Sequence, residues 1–317
     1  AGPLADVLRA NDVLLQLDCR QGSSPCDSPG ATRVVRLGPV TTCPVVTLRE
    51  HAGCAVEIDR SQGEQLYFSA ARSPDAVELG SKSGSAWSTF ACKQGAPKSV
   101  AYFKFDIFAY AALPNGAMGT TQTWSNGVTE APIAGWEQWT ATRIRTLLLL
   151  GTRVSDGTPQ LVEAVPNPMP PWPPSTAHTL TGCQSPIALE VPEKWTGVVW
   201  EADYAAVAIC TSANGGMVFA LPAGGTVRSL ELPGVKPTSM AMGLAGDEAW
   251  IWDADSGELI TVRWKEPMAI VARSQLSPSY PGAAIVRLPK QDDFIIGGPA
   301  LGEMTYVNAS GSAMRCE

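Results

Sequence analysis

Residues 246–264, "GDEAWIWDADSGELITVRW", set Trp250 and Trp252 on either side of Ile251, follow them with an Asp-Ser-Gly cluster, and then resume an apolar run. Successive residues of a strand alternate between its faces, so Ala249 and Ile251 belong to one face and Trp250 and Trp252 to the other. Beyond the turn, Leu259 and Thr261 alternate with Ile260, Val262 and Trp264. Both faces are therefore apolar. A sheet with one wet face alternates polar and apolar residues, so this hairpin is expected to be covered on both sides. Asp255, Ser256 and Gly257 supply the turn, Gly257 accepting the positive φ that such turns require.

The pattern recurs. "WTGVVWEADYAAVAICTSANGGMVFA" from 195, "PTSMAMGLAGDEAWIWDADSGELITV" from 237 and "PGAAIVRLPKQDDFIIGGPALGEMTYV" from 281 align so that Ile209, Ile251 and Ile295 coincide. The glycines Gly215, Gly257 and Gly302 coincide as well, each followed two residues on by Met217, Leu259 or Met304. Upstream, hairpin-like units centre near Gly30, Gly63, Gly116 and Gly157. The mean spacing is about 45 residues, the length of a four-stranded propeller blade. The expected fold is all-β: a β-propeller of seven blades, with six to eight compatible with the spacing. In such a ring each sheet packs between two neighbours, which explains apolar residues on both faces of 249–253.

One repeat, through Pro237, Met240–Ala241, Gly246, Trp250–Ile251, Asp253, Gly257, Leu259 and Val262, resembles the YVTN-, NHL- and quinoprotein-type propeller repeat. The resemblance extends over roughly residues 195–307 and implies a fold. The tryptophan-docking consensus of quinoproteins is absent, so the resemblance implies no quinone and no cofactor is expected.

Composition agrees with this class. The 317 residues are 45% hydrophobic and 17% charged, enough for a large core, and 30 Gly with 26 Pro make a chain that turns often. A net charge of −7 leaves no basic footprint for phosphates, so nucleic acid and anionic membranes are excluded as expected partners. No run approaches the roughly 20 apolar residues of a membrane helix. The chain opens on Ala-Gly-Pro rather than Met, and its eight cysteines show no C-x-x-C spacing; both features lead to an expectation of a secreted, periplasmic or cell-surface protein stapled by disulfides. The expected pairs are Cys19–Cys26, Cys43–Cys54 and Cys183–Cys210 within blades or loops, and, by elimination, Cys92–Cys316 tying down the C-terminus.

Two stretches interrupt the repeats. Residues 165–178 pack six prolines into 166–174, and 121–140 carry Trp124, Trp136 and Trp139 among turn-formers; both are expected to be long inter-blade loops of a single domain, 1–317. If the proline stretch were a linker, two β-domains, 1–165 and 179–317, would replace the ring.

Reactive motifs are absent: no H-E-x-x-H, P-loop, G-x-S-x-G or EF-hand. His51 and His178 read as loop residues. Asp18, Asp59, Asp106, Glu201 and Asp253 lie in or at the ends of expected strands, where they either terminate strands and form Asx turns or gather at a channel mouth as oxygen ligands. Trp124, Trp136, Trp139 and Trp172 are the candidate binding residues, since exposed aromatics give large contact area at small entropic cost. The functional expectation is a non-enzymatic protein- or glycan-binding module, or the scaffold subunit of a surface assembly. The alternative is a propeller hydrolase or lactonase with a metal at the channel mouth.

Overall fold

In the computed structural model the backbone is described along the strands given below. Side chains are described within 148–163, 176–190, 206–243, 247–276, 285, 293–296 and 305–308. Among the described residues no helix forms, and the strands pair into seven four-stranded antiparallel sheets and one two-stranded ribbon.

The first sheet holds β1 (Leu4–Leu8), β2 (Val13–Asp18), β3 (Ala31–Leu37) and β4 (Val45–Ala52), and the second β5 (Cys54–Asp59), β6 (Gln65–Ser73), β7 (Ala76–Ser83) and β8 (Ala86–Gln94). The third holds β9 (Val100–Tyr102), β10 (Phe108–Ala112), β11 (Met118–Gln122) and β12 (Val128–Ala131). The fourth follows with β13 (Trp136–Arg143), β14 (Leu147–Arg153), β15 (Pro159–Ala164) and β16 (Thr176–Thr179). The fifth is interrupted: after β17 (Ser185–Glu190) the chain makes the separate ribbon of β18 (Lys194–Trp195) and β19 (Trp200–Glu201), then returns as β20 (Tyr204–Ser212), β21 (Gly215–Pro222) and β22 (Arg228–Pro233). The sixth holds β23 (Ser239–Met242), β24 (Glu248–Asp253), β25 (Glu258–Arg263) and β26 (Ala269–Gln275). The seventh holds β27 (Ile285–Arg287), β28 (Phe294–Gly297), β29 (Met304–Val307) and β30 (Ala313–Cys316).

Each sheet is a meander in sequence order, and its first strand lies beside the first strand of the next. The series runs β1, β5, β9, β13, β17, β23, β27, and β27 again meets β1.

The opening hairpin is β24–β25, with Ile251 opposite Ile260 and Trp252 opposite Leu259. Its two faces are buried against different sheets. Ala249, Ile251, Ile260, Val262 and Trp264 join Val207, Ile209, Val218 and Ala220 of the fifth sheet in one core. Trp250, Trp252 and Leu259 join Ile285, Phe294, Ile296 and Val307 of the seventh in another. Trp252 is fully buried, Trp250 is 7% exposed, and the Trp250 and Phe294 rings meet at 4.4 Å, tilted by 52°. The fifth sheet repeats the design, Val207 and Ile209 facing the sixth sheet while Ala206, Ala208 and Cys210 face Leu148, Leu150 and Leu161 of the fourth. The apolar alternation of the sequence is thus the alternation of two inter-sheet cores.

Gly257 turns the hairpin at φ 71°, as expected. Gly215 is fixed more tightly: at φ 141°, a Cβ there would stand 2.5 Å from the Leu232 carbonyl oxygen. Gly30, Gly116, Gly157 and Gly302 also fall between second and third strands. Gly63 does not. It lies between β5 and β6, the first and second strands of its sheet, and the equivalent link, from Ser73 to Ala76, contains no glycine.

The stretch 121–140 differs from the expected loop. It contains β12 and the start of β13, leaving only 123–127 and 132–135 outside the described residues. Val, Thr and Trp are strand formers, and a neighbouring strand outweighs the scattered Gly and Pro. Likewise the end of the expected loop 165–178 belongs to the edge strand β16, Thr176–Thr179, which begins once the prolines end and backbone donors return.

Candidate functional site

The meander gives the molecule two unlike faces. Antiparallel alternation sends the second-to-third strand turns of every sheet, together with the connections between sheets, to one face, here the hairpin face. The first-to-second and third-to-fourth connections emerge on the other, the insertion face.

The hairpin face is stitched to itself. In the connection from the fourth sheet to the fifth, Leu180 N donates to Pro159 O of β15 (3.0 Å) and Gln184 N to Thr211 O of β20 (2.8 Å). In the connection from the fifth to the sixth, Gly234 N donates to Asn214 O of the β20–β21 turn (2.9 Å) and Thr238 N to Trp252 O of β24 (2.8 Å). Asp253 is the hub. The residue is 2% exposed; Oδ2 accepts from Lys236 N at 2.8 Å, and Oδ1 accepts from Asp255 N and Ser256 N, both at 3.1 Å. Thr238 Oγ1 donates to Trp252 O (2.9 Å) and accepts from Ala254 N (3.2 Å), while Ser239 Oγ accepts from Ile285 N of the seventh sheet (2.9 Å). Asp253 therefore anchors a turn and an inter-sheet connection. Asp253→Ala leaves three amide donors without their acceptor and is expected to cost about 2 kcal/mol in chemical denaturation. A change under ~0.5 kcal/mol, the size of an ordinary surface substitution, would remove that role.

On the same face Arg153 Nε donates to Asp156 Oδ1 at 2.9 Å, and the guanidinium holds the Asp156 carboxyl well below the usual carboxylate range. In the seventh sheet the buried Tyr306 hydroxyl donates to Asp293 Oδ2 at 2.6 Å; burial and then that bond push its pKa up to about 12. A raised folded pKa means that the stabilisation is complete below the unfolded value near 10 and is lost as pH rises toward about 12. Ultraviolet titration is expected to show a late tyrosinate step that is lost in Tyr306→Phe. If the late step survives in Tyr306→Phe, the assignment is wrong.

The five candidate carboxylates do not share a mouth. Asp18 ends β2 and Asp253 ends β24, on the hairpin face; Asp59 ends β5 and Glu201 lies in the ribbon, on the insertion face. Asp106 lies outside the described residues. Among the described residues no group of three or more metal-ligating side chains forms. His178, expected in a loop, sits in β16 with Nε2 3.0 Å from Glu163 Oε2, joining the last two strands of the fourth sheet; His51 falls in β4, its side chain undescribed.

The candidate tryptophans divide too. Trp124 and Trp172 lie outside the described residues, but the strand ends that flank them, Gln122 and Val128, Ala164 and Thr176, open on the insertion face in the third and fourth sheets. Trp136 and Trp139 fall in the backbone of β13, with Trp136 at its hairpin-face end opposite Arg153. Sequence reasoning missed the ribbon, which adds Trp195 and Trp200 to the insertion face of the fifth sheet. The unusually long interval between Gly157 and Gly215 is the signal that marks an insertion.

Cys183 and Cys210 stand at disulfide distance with Cα atoms 5.7 Å apart. Cys19, Cys26 and Cys43, and the side chains of Cys54, Cys92 and Cys316, lie outside the described residues, so Cys19–Cys26, Cys43–Cys54 and Cys92–Cys316 stand as proposals. No helix among the described residues is long and apolar enough to cross a membrane.

Successive antiparallel sheets of meandering strands, packed face to face in sequence order, define the β-propeller class. Solved structures place the chain in the same class. It is similar to Kluyveromyces lactis Hsv2 with a TM-score of 0.63 at 10% identity, over 100% of this chain and 98% of that one. Streptogramin B lyase follows with a TM-score of 0.57 at 12% identity, over 83% and 82%. The β-propeller domain of Myceliophteria thermophila Cps50 (Swd1) gives 0.53 at 10% identity, over 84% and 86%. At such identities the likeness shows the fold. No family model and no curated protein matches the chain.

Proposed function

We propose that this chain is a single propeller of seven blades, spanning 1–317, that works as a non-enzymatic protein- or glycan-binding module or scaffold subunit outside the cytoplasm. The sequential contact of first strands, with β27 meeting β1, supports the ring. One observation carries the functional reading: connections holding Trp124, Trp172 and the Trp195–Trp200 ribbon open on the same face of three consecutive sheets. Aromatic residues clustered on one rim give a partner large apolar contact at low rotamer cost. The hydrolase reading gains no support, because its carboxylates are divided between faces.

The test compares the tagged chain, Trp124→Ala/Trp172→Ala, and the hairpin-face control Asp255→Ala, each purified from the source organism with quantitative mass spectrometry of bound protein and glycan. The expected result is a tenfold or greater loss of specific partners in the double variant alone, the scale of a hot-spot truncation. Equal recovery in all three would refute the insertion face as the contact surface.

A further inference from the structure

We propose that Asn214–Gly215, at the tip of the β20–β21 hairpin, is a site of spontaneous conversion to isoaspartate, and that the conversion unfastens the connection from the fifth sheet to the sixth. Ser212 pairs with Gly215, which leaves Ala213 and Asn214 alone in the turn, both exposed. Among the described residues the Asn214 side-chain amide has no hydrogen-bond partner. A glycine after the asparagine puts no side chain in the way of its own amide nitrogen. The Gly215 nitrogen attacks Asn214 Cγ; the Cγ–Nδ2 bond breaks, the proton of Gly215 N departs with the side-chain nitrogen as ammonia, and a five-membered succinimide remains. Water then opens that ring. Opening at the former side-chain carbonyl yields aspartate, whereas opening at the main-chain carbonyl yields isoaspartate, in which the backbone runs through the former side chain and is one carbon longer.

The equivalent turns of the neighbouring sheets are closed to this step. In the fourth sheet Asp156 precedes Gly157, but its carboxylate accepts from Arg153 Nε at 2.9 Å and from Thr158 N at 3.1 Å, and the guanidinium keeps it ionised, without a leaving group. Gly157 N is itself spent on Arg153 O at 2.8 Å. In the sixth sheet Ser256 precedes Gly257 and brings no carbonyl carbon. The fifth-sheet turn is also the one fastened to the next connection. Asn214 O accepts from Gly234 N at 2.9 Å, and Gly215 pairs with Pro233 of β22. A Cβ on Gly215 would stand 2.5 Å from Leu232 O, 2.7 Å from Gly234 N and 3.0 Å from Val235 N, so the connection fills that side of the turn. With Ser212 and Gly215 held in the ladder, an added backbone carbon bows the tip outward and carries the carboxyl of residue 214 away from Gly234 N. Gly234 leads to Val235, fully buried in the core between the fifth and sixth sheets, and to Lys236, whose amide Asp253 holds.

In the test the purified full chain is aged at mildly alkaline pH, its peptides are mapped by electron-transfer fragmentation, which separates isoaspartate from aspartate, and amide hydrogen exchange is followed on the same samples. Isoaspartate is expected to accumulate at 214 while Asp156 and Asp255 stay as aspartate. Exchange at Gly234 and Val235 is expected to rise about fivefold or more in the converted fraction, the scale of one lost hydrogen bond. Asn214→Gln, which closes only a slower six-membered ring, should keep the exchange of the fresh chain throughout. Asn214→Asp carries the new charge without the extra backbone carbon, and fresh samples of it should exchange as the native chain does; raised exchange there would assign the loosening to charge and overturn the backbone mechanism. No isoaspartate at 214, or no more than at Asp156, overturns the site, and isoaspartate beside unchanged exchange at Gly234 overturns the unfastening.

Discussion

Trp252→Ala is expected to lower the free energy of unfolding by about 4 kcal/mol, and Ile251→Ala by about 3 kcal/mol, as large-to-small changes at fully buried sites do. The pair decides the architecture better than either alone. Trp252 fills the core between the sixth and seventh sheets, while Ile251, its neighbour in sequence, fills the core between the sixth and fifth. Both are fully buried. Burying an indole removes about 150–250 Å² from water, roughly 4–6 kcal/mol by area and an upper bound because the unfolded chain is itself partly compact. Trp250, 7% exposed and packed at 4.4 Å against the tilted Phe294 ring, is expected to be nearly as costly. Urea unfolding followed by circular dichroism measures all three. A sheet with one wet face would make one position of the Trp252–Ile251 pair nearly neutral, so a cost under ~1 kcal/mol at Ile251, beside a large one at Trp252, would contradict packing on both faces.

That two-sided packing was legible in the sequence because burial on both faces leaves a mark that no half-wet strand can imitate: large apolar residues at consecutive positions, as in Ala249–Trp252. Turn positions were legible where glycine is needed for its φ, as at Gly257. The same signal misplaces one sheet by a hairpin, since Gly63 falls in a first-to-second connection while the second-to-third link, from Ser73 to Ala76, contains no glycine. Trp136 and Trp139 read as binding residues of a loop because turn-formers surround them, but a ladder with β14 overrides local composition. The candidate site was the least legible part. Which face a connection occupies follows from strand order, and strand order emerges only when all the hairpins are counted correctly. Asp18 and Asp59 both follow short apolar strands, yet one ends a second strand and the other a first, so they lie on opposite faces.

Removing the Cys183–Cys210 bridge is the second large effect. The two residues are 27 apart in sequence, and closing a loop of that length in the unfolded chain is worth about 3.5 kcal/mol by chain entropy. The bridge spans no ordinary loop. It encloses β17, the ribbon and most of β20, so it ties the entry of the fifth sheet to its second strand at the base of the only inserted element among the described residues. Both cysteines are buried with Leu148, Leu150 and Leu161 of the fourth sheet, where alanine leaves apolar surface and serine would bury a hydroxyl. Cys183→Ala/Cys210→Ala is therefore expected to unfold about 3.5 kcal/mol more easily than the native chain, and the serine pair more easily still. Non-reducing digestion should yield one linked peptide pair joining the two positions. Reductant should destabilise the native chain by more than it destabilises the alanine pair, because the remaining six cysteines are common to both. Equal sensitivity, or a linked peptide joining Cys210 to another cysteine, would show that the fifth sheet is held by side-chain packing and ladder hydrogen bonds alone, and that the ribbon's base is free to move with them.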